Sequence, residues 1–417
     1  MEIQVPYGRT HLTFEISDRY PVDVIDTPPI PAAKNPLDEV HRALDNLLGE
    51  VGWSDFAGAK TVAIAVNDKT RPVPHKHLLP PLMKQLERLG IPNEAITFYV
   101  AVGTHPPMTP DEFAGILPDT ILNRCKVVSH VAEDDNLLVN LGRTLYGTPI
   151  WTNKYYYQSD LKIVVGNIEP HQFVGFSGGV KTAAIGLSGL KSINHNHALM
   201  TNPAAQLGTY ESNPARQDIE EIGERLGVHL ALNAILNQDK NIVHVLAGDP
   251  VAVMRSGMPL SRNSSQVTVS AKYPLLITSP GGYPKDINVY QAQKAIGHAS
   301  LITQPGGTII LVASCSQGSG SPHYDKWMIG MTSHEEVIRR IEREGFRIGP
   351  HKAFQIARDA LKFRLMIYSD LRKNLAQRLL LNPVDDLQTA LDSALADLQP
   401  GDRIAFMPHA ASTIPHI

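Results

Sequence analysis

Short apolar runs alternate with amphipathic helical patterns along the first half of the chain. Strand-like runs at 60–66, 95–102, 125–130 and 161–165 flank helical patterns such as 76–89, where apolar residues recur every three or four positions. Strands that alternate with helices form βαβ units, whose strands pair in parallel. We therefore predict an α/β fold with largely parallel sheets, and we expect ligands beyond the carboxyl ends of the strands.

The length of the chain predicts two domains. Its 417 residues exceed the roughly 250–300 at which single hydrophobic cores stop growing. Serine and asparagine cluster at 261–273 before a new apolar run begins at Leu275. We therefore place an N-terminal α/β domain at 1–267 and a C-terminal α/β domain at 268–387. In the second domain the pattern predicts a helix over 351–371.

The composition excludes several classes of protein. A formal net charge of −3 with 19% charged residues gives no field that would gather nucleic acid or an anionic membrane surface. Cys125 and Cys315 are the only cysteines, too few for a disulfide framework or a four-thiolate metal site. The first residues lack the basic and apolar regions of a signal peptide, and no apolar run nears the ~18 residues of a membrane span. We therefore expect a cytoplasmic protein.

A glycine-rich segment, Gly166–Thr182, follows the strand-like run at 161–165. Glycine has no Cβ, so backbone N–H groups there can approach an anion closely, and a helix beginning near Lys181 would point its positive end at that anion. This pattern indicates phosphate or carboxylate binding. Val180 stands where the Walker loop requires glycine, which argues against a nucleoside triphosphatase. The alternative is a tight turn with Lys181 as a solvated surface residue.

Four histidines are candidates for chemistry. His105 follows the run at 95–102, and His171 lies in the glycine-rich segment. Two imidazoles with pKa values of about 6.5 can act as base and acid at neutral pH, as inversion of a stereocentre from two faces requires. His195 and His197 form a His-x-His pair. On a strand they would share a face and could bind a metal, although such a pair is more often part of a polar loop.

Polar residues at two further places complete the candidates. Asp68 and Arg71 follow the first predicted strand of the βαβ pattern, where Arg71 could form a two-pronged hydrogen bond with a substrate carboxylate. The alternative is a local turn in which Asp68 binds the backbone and Arg71 is solvated. In the second domain, Tyr290, Gln291 and Lys294 are spaced to share one face of a predicted helix.

Taken together, these blocks resemble the lactate racemase family, whose members use a nickel-pincer nucleotide cofactor. They occur in the family's order, and their combination is far more specific than any one of them. The matching stretches are Asp68-Lys69-Thr70-Arg71-Pro72, Gly103-x-His105, Glu169-Pro170-His171, Gly175-Phe176-Ser177-Gly178-Gly179-x-Lys181, Asn196-His197, and Gly281-Gly282-Tyr283-Pro284 through Lys294.

The resemblance implies a racemase or epimerase that inverts the α-carbon of a 2-hydroxy acid by reversible hydride transfer. The cofactor would be nickel pyridinium-3,5-bisthiocarboxylic acid mononucleotide, attached covalently to Lys181, with His197 as the protein ligand of nickel. The other residues expected to contribute to cofactor binding are Ser177, Gly178, Gly179 and Tyr290.

The same resemblance implies that His105 and His171 flank the substrate as alternate acid and base. The catalytic set would also include Asp68, Arg71, Gln291 and Lys294, of which the last three would hold the substrate's oxygens. A small 2-hydroxy acid would be the substrate, and the enzymes that build the cofactor would be transient partners. The stretch Pro106-Pro107-Met108 is less polar than the arginine-containing version associated with lactate enzymes, which leaves the substrate's side chain open.

The family fold implies two α/β domains with the active site in the interdomain cleft, and it implies that the segment at about 388–417 rejoins the first domain. Two alternatives come from other classes. A zinc hydrolase would use His171, His195 and His197 around a metal-bound water. A cofactor-free homologue would bind a nucleotide or a hydroxy acid without catalysis.

Overall fold

The computed structural model describes residues 1–346 and 349–417. The chain divides into two compact units: a middle unit, Pro29–Ser264, and a terminal unit, which combines Met1–Pro28 with Ser265–Ile417. Within the described residues the strands, in chain order, are β1 (Glu2–Tyr7), β2 (Thr10–Glu15), β3 (Val22–Val24), β4 (Val62–Asn67), β5 (Ile96–Ala101), β6 (Lys126–Ser129), β7 (Leu138–Arg143), β8 (Pro149–Asn153), β9 (Leu161–Asn167), β10 (Pro170–His171), β11 (Gly175–Phe176), β12 (Leu230–Leu236), β13 (Ile242–Gly248), β14 (Gln266–Thr268), β15 (Tyr273–Thr278), β16 (Thr303–Val312), β17 (Arg364–Tyr368), β18 (Ile404–Met407) and β19 (Ile414–His416). The α-helices are α1 (Pro36–Asp45), α2 (His75–Arg88), α3 (Pro110–Phe113), α4 (Asp119–Leu122), α5 (Lys154–Gln158), α6 (Lys181–Ala184), α7 (Leu190–Ala198), α8 (Pro214–Leu226), α9 (Pro250–Asn263), α10 (Val289–Ala299), α11 (Pro322–Trp327), α12 (His334–Glu344), α13 (Pro350–Ala360), α14 (Lys373–Arg378) and α15 (Leu387–Ala396).

A six-stranded sheet forms the centre of the middle unit, in the order β13-β12-β9-β4-β5-β6. Its neighbouring strands are parallel except for β12 and β13, which form an antiparallel pair at one edge. Ile64, Phe98 and Ile163, from three central strands, are fully buried in one hydrophobic core. Such apolar central strands are typical of a parallel sheet covered by helices. The predicted α/β fold with largely parallel sheets is confirmed.

The strand order of this sheet reverses between β4 and β9. From β4 the chain adds β5 and β6 on one side, and it then returns to add β9 and β12 on the other. In open α/β sheets, the loops that leave the two strands at such a reversal diverge and form a crevice at the carboxyl edge. Here those loops carry Asp68 after β4 and the glycine-rich segment after β9, so the topology brings two of the predicted blocks to one place.

The terminal unit contains a five-stranded parallel sheet in the order β17-β16-β15-β18-β3. Leu276 and Ile309, on adjacent strands, are fully buried in its core. The helix α10 follows β15, and its N-cap Asn288 accepts a hydrogen bond from the backbone N–H of Gln291. No helix within residues 1–346 or 349–417 is both long and apolar enough to cross a membrane.

The predicted helix over 351–371 is wrong in its second half. The helix α13 ends at Ala360, and Arg364–Tyr368 forms the edge strand β17. A short buried apolar run is compatible with either a helix or a strand when only its periodicity is known. Pairing with β16 decides for the strand.

The division into units differs from the predicted domain bounds at the two ends of the chain. The segments 1–28 and 388–417 belong to the terminal unit, because β18 pairs with β15 on one side and with β3 on the other. A buried apolar strand such as Ile404–Met407 has no polar face that would indicate its neighbours. The boundary between Ser264 and Ser265 lies close to the predicted one.

Candidate active site

A cavity of about 130 Å³ lies in the middle unit where β4, β5 and β9 end. The loops that follow these strands form part of its wall, together with residues of α6 and α7. Eight of the predicted site residues line it: Asp68, Arg71, His105, His171, Ser177, Gly178, Lys181 and His197. The tertiary fold therefore gathers blocks that are far apart in the sequence.

Asp68 and His105 form a hydrogen-bonded pair in this cavity. Asp68 is buried, and its Oδ2 lies 2.7 Å from Nδ1 of His105, whose side chain is 47% exposed. Burial by itself would raise the pKa of the Asp68 carboxyl, but hydrogen bonds from His105 and Thr70 and nearby positive charge lower it overall. An ionised carboxylate only accepts hydrogen bonds, so Nδ1 of His105 carries the hydrogen and Nε2 is its basic atom.

The local turn considered for Asp68 and Arg71 also exists. The N–H of Arg71 donates to the carbonyl of Asp68, and the N–H of Thr70 donates to the Asp68 carboxylate. The turn and the site are therefore compatible, because Oδ1 of Asp68 accepts a hydrogen bond from Thr70 while Oδ2 accepts one from His105.

Phe173 separates the two other histidines of the cavity. Its ring centroid lies 4.9 Å from that of His171 and 5.0 Å from that of His197, with roughly perpendicular planes in both cases. His171 is further held by the pairing of β10 with Gly175 on β11. Nothing in the sequence marks Phe173 as part of the site, because an apolar residue in a loop usually indicates packing alone. The packing here sets the spacing of two imidazoles.

The amine of Lys181 has a strongly perturbed proton affinity. Lys181 begins α6, and its side chain lines the cavity rather than the outer surface. Burial, followed by the charges of Arg71 and Arg216, lowers the pKa of Lys181 to about 7, against a partial opposing effect of Glu169. A large share of this amine is therefore uncharged and nucleophilic at neutral pH. Lys181 is not the solvated surface residue of the alternative interpretation.

The glycine-rich loop uses part of its backbone polarity internally. The N–H of Ser177 donates to the carbonyl of Glu169, and the N–H of Gly179 donates to Oδ1 of Asn233 at 2.7 Å. The predicted helix at Lys181 is a single turn, Lys181–Ala184, so it has little dipole to offer an anion. The expected cradle is therefore smaller than the glycine pattern indicated.

The side chain of Ser177 adds a polar group to the expected anion-binding part of the glycine-rich loop. Its Oγ is buried, and it has no hydrogen-bond partner among the residues that the structure describes. A Cβ on the neighbouring Gly178 would come within 2.7 Å of the Ile168 side chain, and one on Gly179 would come within 2.6 Å of Met254. The glycines thus allow close packing, while the hydroxyl is the polar atom that a bound group could meet.

Arg216 holds the glycine-rich loop in place, and sequence analysis missed it. Its fully buried side chain on α8 donates from Nη1 to the Phe176 carbonyl at 2.9 Å and from Nη2 to the Gly178 carbonyl at 3.1 Å. Its Nε donates to Glu220 at 2.8 Å. Arginine and glutamate four positions apart on a helix usually indicate a surface ion pair, so nothing in the sequence marks this one as buried.

His195 and His197 lie on α7, so the pair is neither on a strand nor in a polar loop, the two placements considered for it. Side chains two positions apart on a helix point roughly 200° apart. Nδ1 of His195 lies 2.9 Å from Oγ1 of Thr148, whereas His197 lines the cavity. Across residues 1–346 and 349–417, no three His, Cys, Asp or Glu side chains are grouped to hold a metal ion. The zinc site of His171, His195 and His197 is therefore not formed.

The predicted residues of the second domain lie on α10 in the terminal unit. Nζ of Lys294 donates to Oε1 of Gln291 at 3.0 Å, and the hydroxyl of Tyr290 lies 3.5 Å from Nε2 of His351. Nζ of the buried Lys352 lies 4.9 Å from the centre of the Tyr290 ring. The three predicted side chains thus belong to one polar cluster of the terminal unit.

The fold and the cavity define an α/β enzyme whose site combines an amine of lowered pKa, a carboxylate–imidazole pair and two further imidazoles. Models of two protein domains, described as the lactate racemase N-terminal domain and the lactate racemase C-terminal domain, match residues 7–208 and 268–414. This chain belongs to the lactate racemase family. It is accordingly an isomerase of the racemase type.

Individual relatives agree with this membership. A lactate racemase of Lactiplantibacillus plantarum is 32% identical over 325 residues, which cover 76% of each chain. A lactate racemase of Thermoanaerobacterium thermosaccharolyticum is 28% identical over 422 residues, 99% of this chain and 98% of the relative. The structure of the lactate racemase apoprotein from the same organism superposes with a TM-score of 0.92 at 26% identity and covers 100% of both chains.

Proposed function

We propose that this protein is a racemase or epimerase that inverts the α-carbon of a small 2-hydroxy acid, with a nickel-pincer nucleotide attached covalently to Lys181. One observation carries the proposal: a single cavity of the middle unit is lined by Lys181, His197, His105 and His171. An uncharged amine for attachment, one imidazole for metal binding and two imidazoles for proton transfer are the groups that this chemistry requires.

The side chains around the cavity fit this cofactor. Lys181, with a pKa of about 7, has the uncharged amine that covalent attachment needs. Burial, and next the charge of Lys181, lowers the pKa of His197 to about 3, so its neutral ring can donate a lone pair to nickel. The buried Oγ of Ser177, without a partner in the described parts of the chain, suits a hydrogen bond to a polar group of the nucleotide. Because a pincer supplies its own sulfur and carbon donors, one protein ligand is enough.

When bound, the cofactor supplies an acceptor for the hydride of the substrate's α-carbon and allows its return to either face. The protein moves the protons. Nε2 of His105 removes the hydroxyl proton of one enantiomer, and Asp68 stabilises the imidazolium that results. His171 performs the same task for the other enantiomer. The guanidinium of Arg71 binds the substrate's carboxylate, for which its planar fork is suited.

The residues of α10 complete the proposed assignment. We assign substrate oxygens to Gln291 and Lys294 and a cofactor contact to Tyr290. The 3.0 Å hydrogen bond from Lys294 to Gln291 supports this assignment, because it orients the amide of Gln291 and the amine of Lys294 together.

The substrate class is lactate or a larger 2-hydroxy acid. The relatives are named lactate racemases. Pro106 and Pro107 are exposed beside His105, and Met108 is buried in the core of the middle unit. The described wall of the cavity includes His105 but none of these three residues, so we leave the side chain of the substrate open. We further propose that the protein works in the cytoplasm beside the enzymes that build its cofactor. The two free cysteines support the location, because thiols stay reduced there.

The proposal is tested by making the chain together with the cofactor-building enzymes and comparing wild type with Lys181→Ala. We expect wild type to carry the mass of the nucleotide and bound nickel, and the variant to carry neither. Lys191→Ala, at an exposed lysine on α7, is the matched control and should retain both. Nickel and adduct that survive in Lys181→Ala would overturn the proposal.

A second experiment tests the reaction itself. Loaded enzyme is offered chiral 2-hydroxy acids that carry deuterium at the α-carbon, and the product's isotope content is measured. Transfer within the site predicts inversion with the deuterium retained, whereas proton abstraction from the carbon predicts its loss to solvent.

A further inference from the structure

The buried carboxylate of Asp218 connects α7, the helix that carries His197, to the turn between the antiparallel strands β7 and β8. Asp218, on α8, is fully buried. Its Oδ1 accepts a hydrogen bond from Thr144, and its Oδ2 accepts one from Thr148 at 2.8 Å and one from Nδ2 of Asn196 at 2.7 Å. A buried carboxylate that is satisfied by three donors holds those donors firmly in place.

These contacts fix the orientation of the Asn196 amide. Nδ2 donates to Asp218 and, at 2.9 Å, to the carbonyl oxygen of Ala215. Both partners only accept hydrogen bonds. A flipped amide would turn its own oxygen toward two other oxygens, so the assignment follows from the network. The amide oxygen Oδ1 consequently points away from them, and it lies 3.2 Å from Nδ1 of His197.

The orientation of Asn196 decides where the hydrogen of His197 resides. An amide oxygen cannot donate, so Nδ1 of His197 must carry the hydrogen in this contact. Burial favours the neutral ring, and a neutral ring with hydrogen on Nδ1 has its lone pair on Nε2. We infer that Asp218 and Asn196 are positioning residues that hold His197 in this tautomer and thereby select Nε2 as its metal-binding atom.

The inference rests on the proposed function for the identity of the metal, but the tautomer is a property of the chain itself. Hydrogen bonds of this kind, from the second ring nitrogen of a ligand histidine to a fixed acceptor, orient ligands in many metal sites. Asp218 also offers an internal comparison. Thr148 donates to Asp218, so its oxygen accepts from Nδ1 of the neighbouring His195 at 2.9 Å. Thr148→Val therefore removes one donor to Asp218 without touching Asn196.

The test reads the ring directly in the metal-free full chain. Histidine is labelled with ¹⁵N, long-range ¹H–¹⁵N correlations report which nitrogen of each ring is protonated, and His197→Gln identifies the signals of His197. We expect a single tautomer with hydrogen on Nδ1 in wild type, a mixture of both in Asn196→Ala, and no change in Thr148→Val. Hydrogen on Nε2 in wild type overturns the inference even if Asn196→Ala does not fold. An unchanged tautomer in folded Asn196→Ala overturns it as well.

A measurement on loaded protein separates this inference from the proposed function. Loss of the outer hydrogen bond typically weakens metal binding by roughly 10–100-fold. We therefore expect nickel to leave Asn196→Ala for a chelator that much more readily than it leaves wild type. If wild type shows the expected tautomer but never holds nickel, the proposed function fails and the positioning role stands. If wild type holds nickel and Asn196→Ala holds it equally well, the positioning role fails alone.

Discussion

Nδ1 of His105 donates a 2.7 Å hydrogen bond to Oδ2 of Asp68, and this bond determines which nitrogen of the ring is basic. The carboxylate is buried while the ring is about half exposed, so Asp68 orients the imidazole from the protein side. A carboxylate in this position also stabilises the imidazolium that forms when the ring takes up a proton.

Asp68→Asn should impair racemisation without unfolding the protein. The amide can donate to Nδ1 and so favour the wrong tautomer, in which Nε2 is no longer basic. We expect kcat to fall by roughly 10²–10⁴-fold, the usual contribution of a positioned acid or base. Steady-state kinetics of loaded enzyme provide the measurement. Thr70→Val removes a hydrogen bond to the other carboxylate oxygen and should cost far less, so equal losses in the two variants would contradict the assigned role.

The reactivity of Lys181 should follow its lowered pKa. Below about pH 7 the amine is protonated and inert, and above it the amine is free to react, so acylation of the cofactor-free chain should rise through neutral pH. Peptide mass spectrometry after brief exposure to acetic anhydride at a series of pH values measures this. Surface lysines are the internal control, because solvated amines have a pKa of about 10.4. Labelling of Lys181 in parallel with them would refute the expectation.

Removing a neighbouring positive charge should make the Lys181 amine more basic. Arg71 is the largest charge effect after burial, so Arg71→Met should move the labelling midpoint of Lys181 upward while that of surface lysines stays in place. A midpoint that does not move would show that the charge of Arg71 has no effect on the pKa of Lys181.

Arg216 should be a major determinant of stability. Arg216→Met removes the guanidinium donors of two loop carbonyls and the positive partner of the partly buried Glu220, which keeps a hydrogen bond from the Tyr210 hydroxyl. Breaking a buried ion pair by removing one partner costs about 3–5 kcal/mol. Urea denaturation followed by circular dichroism measures the loss. Arg225, on the same helix, pairs with Glu221 and is 52% exposed, so Arg225→Met should cost no more than about 1 kcal/mol. Similar costs for the two variants would show that the Arg216 network is unimportant.

Gly175 and Gly142 both have a positive φ but differ in the space around them, so comparing alanine substitutions at the two positions tests close packing. Gly175 and Gly142 both have positive φ, 75° and 92°, but a Cβ on Gly175 would overlap the carbonyl of Thr209, whereas one on Gly142 meets nothing within 4 Å. Alanine at either site costs about 1–2 kcal/mol of backbone strain. Gly175→Ala should lose at least ~1–3 kcal/mol more through overpacking, and equal melting temperatures would disprove the constraint.

Local patterns were sufficient for much of the fold. Apolar periodicity located β4, β5, β9 and the helix α2 to within a few residues, because a buried strand or helix face must be apolar whatever lies beside it. The same reasoning failed at β17, since a short buried run has no distinguishing period. The family resemblance, not periodicity, placed 388–417 with the first domain, whereas β18 pairs with β15 and β3 in the terminal unit. Periodicity could not decide this, because those pairing partners lie more than a hundred residues away.

The residues of the candidate site also fall into two groups, those that sequence motifs marked and those that they did not. Motifs identified the side chains that carry polar or nucleophilic groups, such as Lys181 and His105. Residues that act through packing or through another residue, namely Phe173, Arg216 and Asp218, stayed hidden because their types and spacings are ordinary for a loop or a helix face.

The sequence by itself determined the α/β class, the chemistry available to the chain and the blocks in which that chemistry lies, because these depend on residue types and short spacings. Tertiary structure alone decided that Asp68, His105, His171 and Lys181 line one cavity, and that the pKa of Lys181 falls to about 7. The reason is physical: strand order sets which loops meet at a sheet edge, and burial beside two arginines sets the proton affinity of an amine.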